Sequence, residues 1–179
     1  DKIKTNAALN KSEQQLSARL MRVNHAGEIA AQGLYHGQAL TARQENIKQQ
    51  MQQCAEEEQA HLAWCEKRLT ELDDHPSVLS PVWYLGSYAL GAATGLLGDK
   101  WSLGFISETE KQVVQHLNEH LSRLPEQDHK SREVLLKMRE EEVLHDKTAQ
   151  AAGAYALPKP VKLVMRAVSK LMTRTAYWV

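Results

Sequence analysis

Apolar positions recur every three or four residues through most of the chain, and runs that alternate apolar with polar residues are nearly absent, which predicts helices and no sheet. A first helix is expected over residues 12–40 and a second over 41–72, each opened by a candidate capping box, Ser12 with Gln15 and Thr41 with Gln44. Residues 73–81 break the pattern with two prolines, Pro76 and Pro81. A third helix is expected over 103–124, stopped by Pro125, and a fourth over 131–152, ended by Gly153 in a position that favours glycine. Four long helices joined by short connections predict an all-α fold, an antiparallel four-helix bundle, with residues 1–179 forming one domain.

Two segments fall outside that bundle. Residues 82–98 carry no charge and hold Gly86, Gly91, Gly95 and Gly98; at 17 residues the segment sits at the lower edge of what crosses a bilayer. Its glycines fit close helix packing or an interfacial or re-entrant segment better. Residues 159–179 lack acids and place Lys159, Lys162, Arg166, Lys170 and Arg174 at steps of three or four, with Val161, Val164, Val168, Leu171, Met172 and Trp178 on another face. A helix that only closes the bundle could show the same faces. Two such segments in one chain favour contact with an anionic membrane surface.

The acids carry the chemistry. In the second helix the apolar stripe runs Ile47, Met51, Cys54, Leu62, Cys65, Leu69 and Leu72, and Glu58 stands on it with His61 one turn later. The fourth helix repeats this with Leu135, Met138, Glu142, His145, Ala149 and Ala152. The third places Glu110 on a stripe of Leu103, Ile106, Val113, Leu117, Leu121 and Leu124. Glu28 lies at the edge of the Val23, Gly27, Ala31 and Leu34 face in the first. Carboxylates on core stripes are costly unless paired, protonated or bound to metal. Two divalent cations would balance four of them with the histidines neutral. Oxygen-rich ligation with one imidazole per metal suits iron or manganese.

A single Glu-x-x-His means little, since 16 glutamates and 8 histidines give about 0.7 matches by chance. Glu126 to His129 is such a decoy. The repeat is more specific: Glu28 precedes Glu58 by 30 residues, and Glu110 precedes Glu142 by 32. One Glu from each of two helices and Glu-x-x-His from each of the other two is the ligand pattern of ferritin-like two-metal bundles. Glu56, Glu57, Glu140 and Glu141 point off the stripes, as solvated or supporting groups. His25, His36 and His75 have no ligand spacing, whereas His116, six residues after Glu110, is a candidate hydrogen-bond partner of a ligand carboxylate. Cys54 and Cys65 are too far apart to bridge within one helix and are expected as reduced thiols. The zero net charge gives no field that would draw the chain to nucleic acid, and no nucleic-acid partner is expected. The chain opens at Asp1 without Met or signal peptide, so a targeting segment upstream would be invisible.

Several runs resemble the demethoxyubiquinone hydroxylase family: Arg22-Val23-Asn24-His25-Ala26-Gly27-Glu28, Pro81-Val82-Trp83, residues 90–98, and Glu140-Glu141-Glu142-Val143-Leu144-His145-Asp146. The similarity covers roughly residues 21–155, with the motifs in consistent order. It implies a ferritin-like di-iron monooxygenase of ubiquinone biosynthesis that hydroxylates the ring of a polyprenylated demethoxyubiquinol with O2. Two iron ions would be held by Glu28, Glu58, His61, Glu110, Glu142 and His145 and bridged by Glu58 and Glu142. The protein would lie peripherally on the cytoplasmic face of the cell membrane, or the matrix face of the mitochondrial one, as a homodimer or within a biosynthetic complex. Lys111 and Leu117 depart from the family's glutamate and tyrosine, so no role of that tyrosine transfers. The alternative is a ferritin-like oxidase or peroxidase, or an iron-handling protein, which would share all six ligands but not the two membrane-type segments.

Overall fold

The computed structural model describes residues 8–179, and among these it contains six helices: α1 (Lys11–Thr41), α2 (Glu45–Glu71), α3 (Ser80–Leu97), α4 (Asp99–Arg123), α5 (His129–Ala151) and α6 (Lys159–Trp178). Helices α1, α2, α4 and α5 form the expected bundle, while α3 and α6 pack on its outside.

The helix starts differ from the sequence expectation for local reasons. Asn10 and Glu13 form the capping box of α1, not Ser12 and Gln15: the Asn10 side chain accepts from the Glu13 N–H, and the Glu13 carboxylate accepts from the Asn10 N–H. Thr41 ends α1 instead of opening α2, because its hydroxyl donates to the Ala92 carbonyl of α3. The chain entering α2 is instead held by Asp99, whose two carboxylate oxygens accept from the Arg43 and Gln44 N–H groups just before the helix at 3.0 Å each. That buried aspartate also begins α4, four residues before the expected start, directly after Gly98 (φ 120°). Gly153 has the positive φ expected after α5.

Helix α3 uses its glycines as a seam. A Cβ on Gly33 or Gly37 of α1 would overlap the carbonyl oxygens of Tyr84 and Tyr88, and one on Gly91 would overlap that of Leu34. A Cβ on Gly95 would overlap the Thr41 hydroxyl, and through the other three glycines the two helices run parallel in near backbone contact. No helix among the described residues is long and apolar enough to cross a membrane. The outer side of α3 is nevertheless greasy, with Val82, Leu85, Leu96 and Leu97 exposed.

Helix α6 crosses the α1/α4 face and is pinned near both ends. Lys162 pairs with the buried Glu108 of α4 at 3.2 Å, and Arg166 approaches the same carboxylate. At the far end Ala176 is buried against Val23 and Ala26, and Arg19 of α1 lies over the rings of Tyr177 and Trp178. Leu163, Val164, Val168 and Leu171 between the pins stay exposed.

The bundle interior is divided. One apolar cluster, including Met21, Leu69, Leu117, Leu121 and Leu135, fills one end. A second, including Tyr35, Ile47, Met51, Leu103 and Ile106, fills the other. Between them lie the acids. Leu117 belongs to the first cluster, so the position that departs from the family's tyrosine is an ordinary core site here.

Candidate metal centre

All six residues expected as ligands converge. Glu28, Glu58, His61, Glu110, Glu142 and His145 are buried, at 6% exposure or less, and come from each of the four bundle helices. Glu28, placed by its stripe at an edge, is as buried as the others, because α3 and α6 cover the face that a four-helix pattern leaves open. The side chains form two overlapping groups of close donors, Glu28, Glu58, His61 and Glu142 in one, Glu58, Glu110, Glu142 and His145 in the other. Glu58 and Glu142 belong to both.

The i, i+3 spacing sets each imidazole above its own glutamate. His61 Nδ1 lies 3.1 Å from Glu28, 3.2 Å from Glu58 and 3.0 Å from Glu142. His145 Nδ1 lies 3.1 Å from Glu142 and 3.6 Å from Glu58. Both Nδ1 atoms thus face the acids, and both Nε2 atoms face outward to a carboxylate from the opposite helix. His61 Nε2 donates to Glu141 of α5, and His145 Nε2 to Glu57 of α2, each at 2.7 Å. The sequence separated Glu57 and Glu141 from the stripes without fixing which neighbours they serve. The clue was the doubled glutamate in Glu57-Glu58-x-x-His61 and Glu141-Glu142-x-x-His145, which a helix turns toward two different partners.

Electrostatics make this cluster unstable as a set of bare anions. Burial first, then the charge of Glu142 and Glu28, pushes the Glu58 carboxyl well above its ordinary range. Burial and Glu142 do the same to Glu110. Burial also opposes charge on Glu142, but hydrogen bonds from His145 and His61 overcome it and hold this carboxyl low. For both imidazoles burial disfavours the cation, yet the surrounding carboxylates outweigh it and raise the pKa. Protons therefore occupy the interior where divalent cations would displace them. Two carboxylate oxygens, Glu58 Oε1 and Glu110 Oε2, are buried with no hydrogen-bond partner. Carboxylate oxygens without a partner, beside imidazole nitrogens anchored on their far side by Glu141 and Glu57, form a donor set that fits metal once those protons leave, and their hard oxygen character suits iron.

Two further neighbours touch the cluster. Tyr35 of α1, fully buried, donates its hydroxyl to Glu110 and sets its ring edge-on to His145. No stripe argument could single out Tyr35, since a tyrosine on an apolar face reads as core. Cys54 approaches Glu57 and His145, but burial, followed by the charges of Glu57 and Glu58, pushes its thiol up to about 12. His116 does not reach a ligand carboxylate: its Nε2 is 3.2 Å from Ser169 of α6. His25 and His36 are hydrogen-bonded to Glu66 and Tyr84, and His75 is exposed. Glu126 and His129 are exposed at the α4/α5 turn, away from the centre.

A cavity of about 510 Å³ reaches Glu28 from the outer side. Helices α1 and α4 form its floor, and α3 and α6 its walls. Leu34, Leu90, Phe105, Val113, Val161 and Met165 make it apolar. The exposed apolar faces of α3 and α6 lie beside it.

The chain is similar to known proteins over nearly its whole length. Residues 15–176 match the family model described as ubiquinone biosynthesis protein COQ7. A protein of Nitrosospira multiformis named 3-demethoxyubiquinol 3-hydroxylase is 58% identical over 173 residues, 97% of this chain and 83% of the relative. A protein of the same name from Acinetobacter baumannii is 58% identical over 161 residues, covering 90% and 76%. Among solved structures, the bacterioferritin-related protein of Bacteroides fragilis, described as a dodecameric thioferritin, superposes with a TM-score of 0.61 over 91% of each chain. At 18% identity that likeness shows the fold alone, which is ferritin-like.

Proposed function

The chain belongs to the COQ7 family of ubiquinone biosynthesis proteins, and from that premise we propose that it is a 3-demethoxyubiquinol 3-hydroxylase. The observation that carries this reading is a buried set of four carboxylates and two imidazoles opening onto an apolar cavity. The chain acts as one ferritin-like unit. Glu28 and His61 would hold one iron, Glu110 and His145 the other, and Glu58 and Glu142, shared by both donor groups, would bridge them. When bound, the iron pair supplies the activation of O2 that puts one oxygen atom on a ring carbon and releases the other as water, using two electrons from a donor.

The protein's own groups do the rest. Glu57 and Glu141 keep each histidine's proton on Nε2, leaving Nδ1 free to ligate. Tyr35 holds Glu110 by a hydrogen bond. The two apolar clusters close the bundle ends to bulk water, so the open approach to Glu28 is the cavity. Its apolar lining suits a quinol ring with an isoprenoid tail.

Membrane contact forms part of the same reading. Exposed leucines and valines on α3 and α6 would sink into the interface while Lys159, Lys170 and Arg174 face anionic headgroups, giving a peripheral protein whose long-tailed substrate enters from lipid. Flotation with anionic vesicles tests it: Leu163→Glu with Leu171→Glu, both exposed, should release the protein, and retention would refute the assigned face. The activity is tested by loading the protein with iron without O2, adding demethoxyubiquinol, admitting O2 and weighing the product by mass spectrometry. A gain of one oxygen atom, absent in Glu142→Ala, is expected. Peroxide turnover with no change of the quinol would favour a ferritin-like peroxidase.

A further inference from the structure

The hydroxylase reading leaves open how the ring is oriented, and the cavity contains groups that could set it. Two buried side-chain N–H groups without a hydrogen-bond partner belong to residues that border it: the Asn24 amide Nδ2 and the Trp83 indole Nε1. An unpartnered buried donor costs free energy unless a ligand or water meets it. The cavity has other polar lining residues, among them Thr109, Gln112 and Ser169, but among the described residues that line it only these two leave a buried side-chain N–H unpaired.

Asn24 lies one helical turn before Glu28 on the same face of α1 and is 6% exposed. Its Oδ1 sits 2.7 Å from His120 Nδ1 of α4. Burial, aided by His116 and Arg123, lowers the His120 pKa to about 3, so the ring is neutral and has one N–H to give. A short contact with a carbonyl oxygen puts that proton on Nδ1. The amide oxygen thus faces α4, and Nδ2 is the end left over. Trp83 stands on the first turn of α3, next to Tyr84, whose carbonyl meets Gly33 of α1. Asn24 and Trp83 therefore flank Glu28 along α1, one before it and one after.

We infer that Asn24 Nδ2 and Trp83 Nε1 donate hydrogen bonds to oxygen substituents of the substrate ring, and so select which ring carbon faces the metal centre. His120 is the positioning residue of Asn24. The inference rests on the hydroxylase reading for the identity of the ring. A tail alone would leave both donors unmet; a ring carrying oxygens on opposite sides satisfies both.

Calorimetric binding to iron-loaded protein without O2 tests it, using a short-tailed demethoxyubiquinone and a benzene bearing the same tail but no ring oxygen. Asn24→Asp keeps an oxygen toward His120 and removes the N–H donor; Trp83→Phe keeps an aromatic ring and removes the indole N–H. Each variant should bind the quinone about three- to tenfold more weakly than wild type and the oxygen-free analogue equally well, with iron content and thermal stability retained. An unchanged quinone Kd in either variant overturns the inference, as does an equal loss for both ligands, which would make the residue structural. Failure of the wild type to bind the quinone would instead remove the hydroxylase reading beneath it.

Discussion

Glu57 of α2 accepts the Nε2 proton of His145 on α5 across 2.7 Å, and the same relation runs the other way from His61 to Glu141. Each helix thus supplies one glutamate to the buried cluster and one carboxylate that steadies the opposite helix's histidine. Glu57 and Glu141 are part exposed, so their value lies in orientation more than in bulk stability. Replacing either with Gln keeps the shape but weakens the hold on the imidazole proton. Each variant is expected to bind iron 10–100-fold more weakly, by order of magnitude, while folding normally. Anaerobic iron titration with a competing chelator checks this, and the double variant should lose more than either single one.

Tyr35 reaches Glu110 from the apolar end of the bundle. Tyr35→Phe removes the hydroxyl and leaves a ring of nearly the same volume, so the core should stay packed. The loss of one hydrogen bond to a carboxylate, about 1.5–3 kcal/mol, should appear as weaker iron binding at the Glu110 side. Two-step iron titration should show one of the two sites shifting and the other nearly unchanged.

Two glycine substitutions should differ in sign. Gly37→Ala puts a methyl group into the Tyr88 carbonyl, and separating α3 from α1 is expected to cost about 1–3 kcal/mol. Gly86→Ala meets nothing within 4 Å and gains helix propensity, about 0.5–1 kcal/mol. Urea midpoints should fall for the first and rise for the second.

Acidification should destabilise the fold through His120. Its pKa lies near 3 in the folded protein against 6.5 ordinarily, because burial excludes the cation and His116 and Arg123 repel it. Between those values the unfolded chain binds the proton and the folded one does not. The contribution is therefore complete above pH 6.5 and is lost as pH falls toward 3, by at most about 1.4 kcal/mol per pH unit. Thermal unfolding of His120→Gln should show a shallower decline from pH 7 to pH 5 than wild type.

The sequence disclosed the bundle and its centre because both rest on helical periodicity. A glutamate on a leucine stripe is improbable without a partner, and the 30- and 32-residue spacings repeat that improbability. Periodicity says nothing about partners from other helices, which is why it does not single out Tyr35 and leaves the cross-bundle roles of Glu57 and Glu141 open. The capping boxes failed for a related reason. Ser12 and Thr41 have suitable local sequence, but Asn10 with Glu13 captured one helix start, and a distant Asp99 the other. Of the two readings open to the glycines of residues 82–98, the structure realises close packing on α1, and nothing in the sequence marks Gly33 and Gly37 as the partners.

The two pins of α6 differ in kind. At its start, Glu108 holds Lys162 and Arg166 by charge, which added electrolyte weakens. At its end, Ala176 is seated in an apolar notch and Arg19 is sandwiched near two aromatic rings, contacts far less sensitive to electrolyte. Ionic strength therefore loosens one end of the helix and spares the other, making α6 a strap with its buckle at Lys162 and its hinge at Tyr177. On the proposed membrane reading, a charged bilayer that offered Lys162 and Arg166 a rival for Glu108 would open that buckle at the lipid surface.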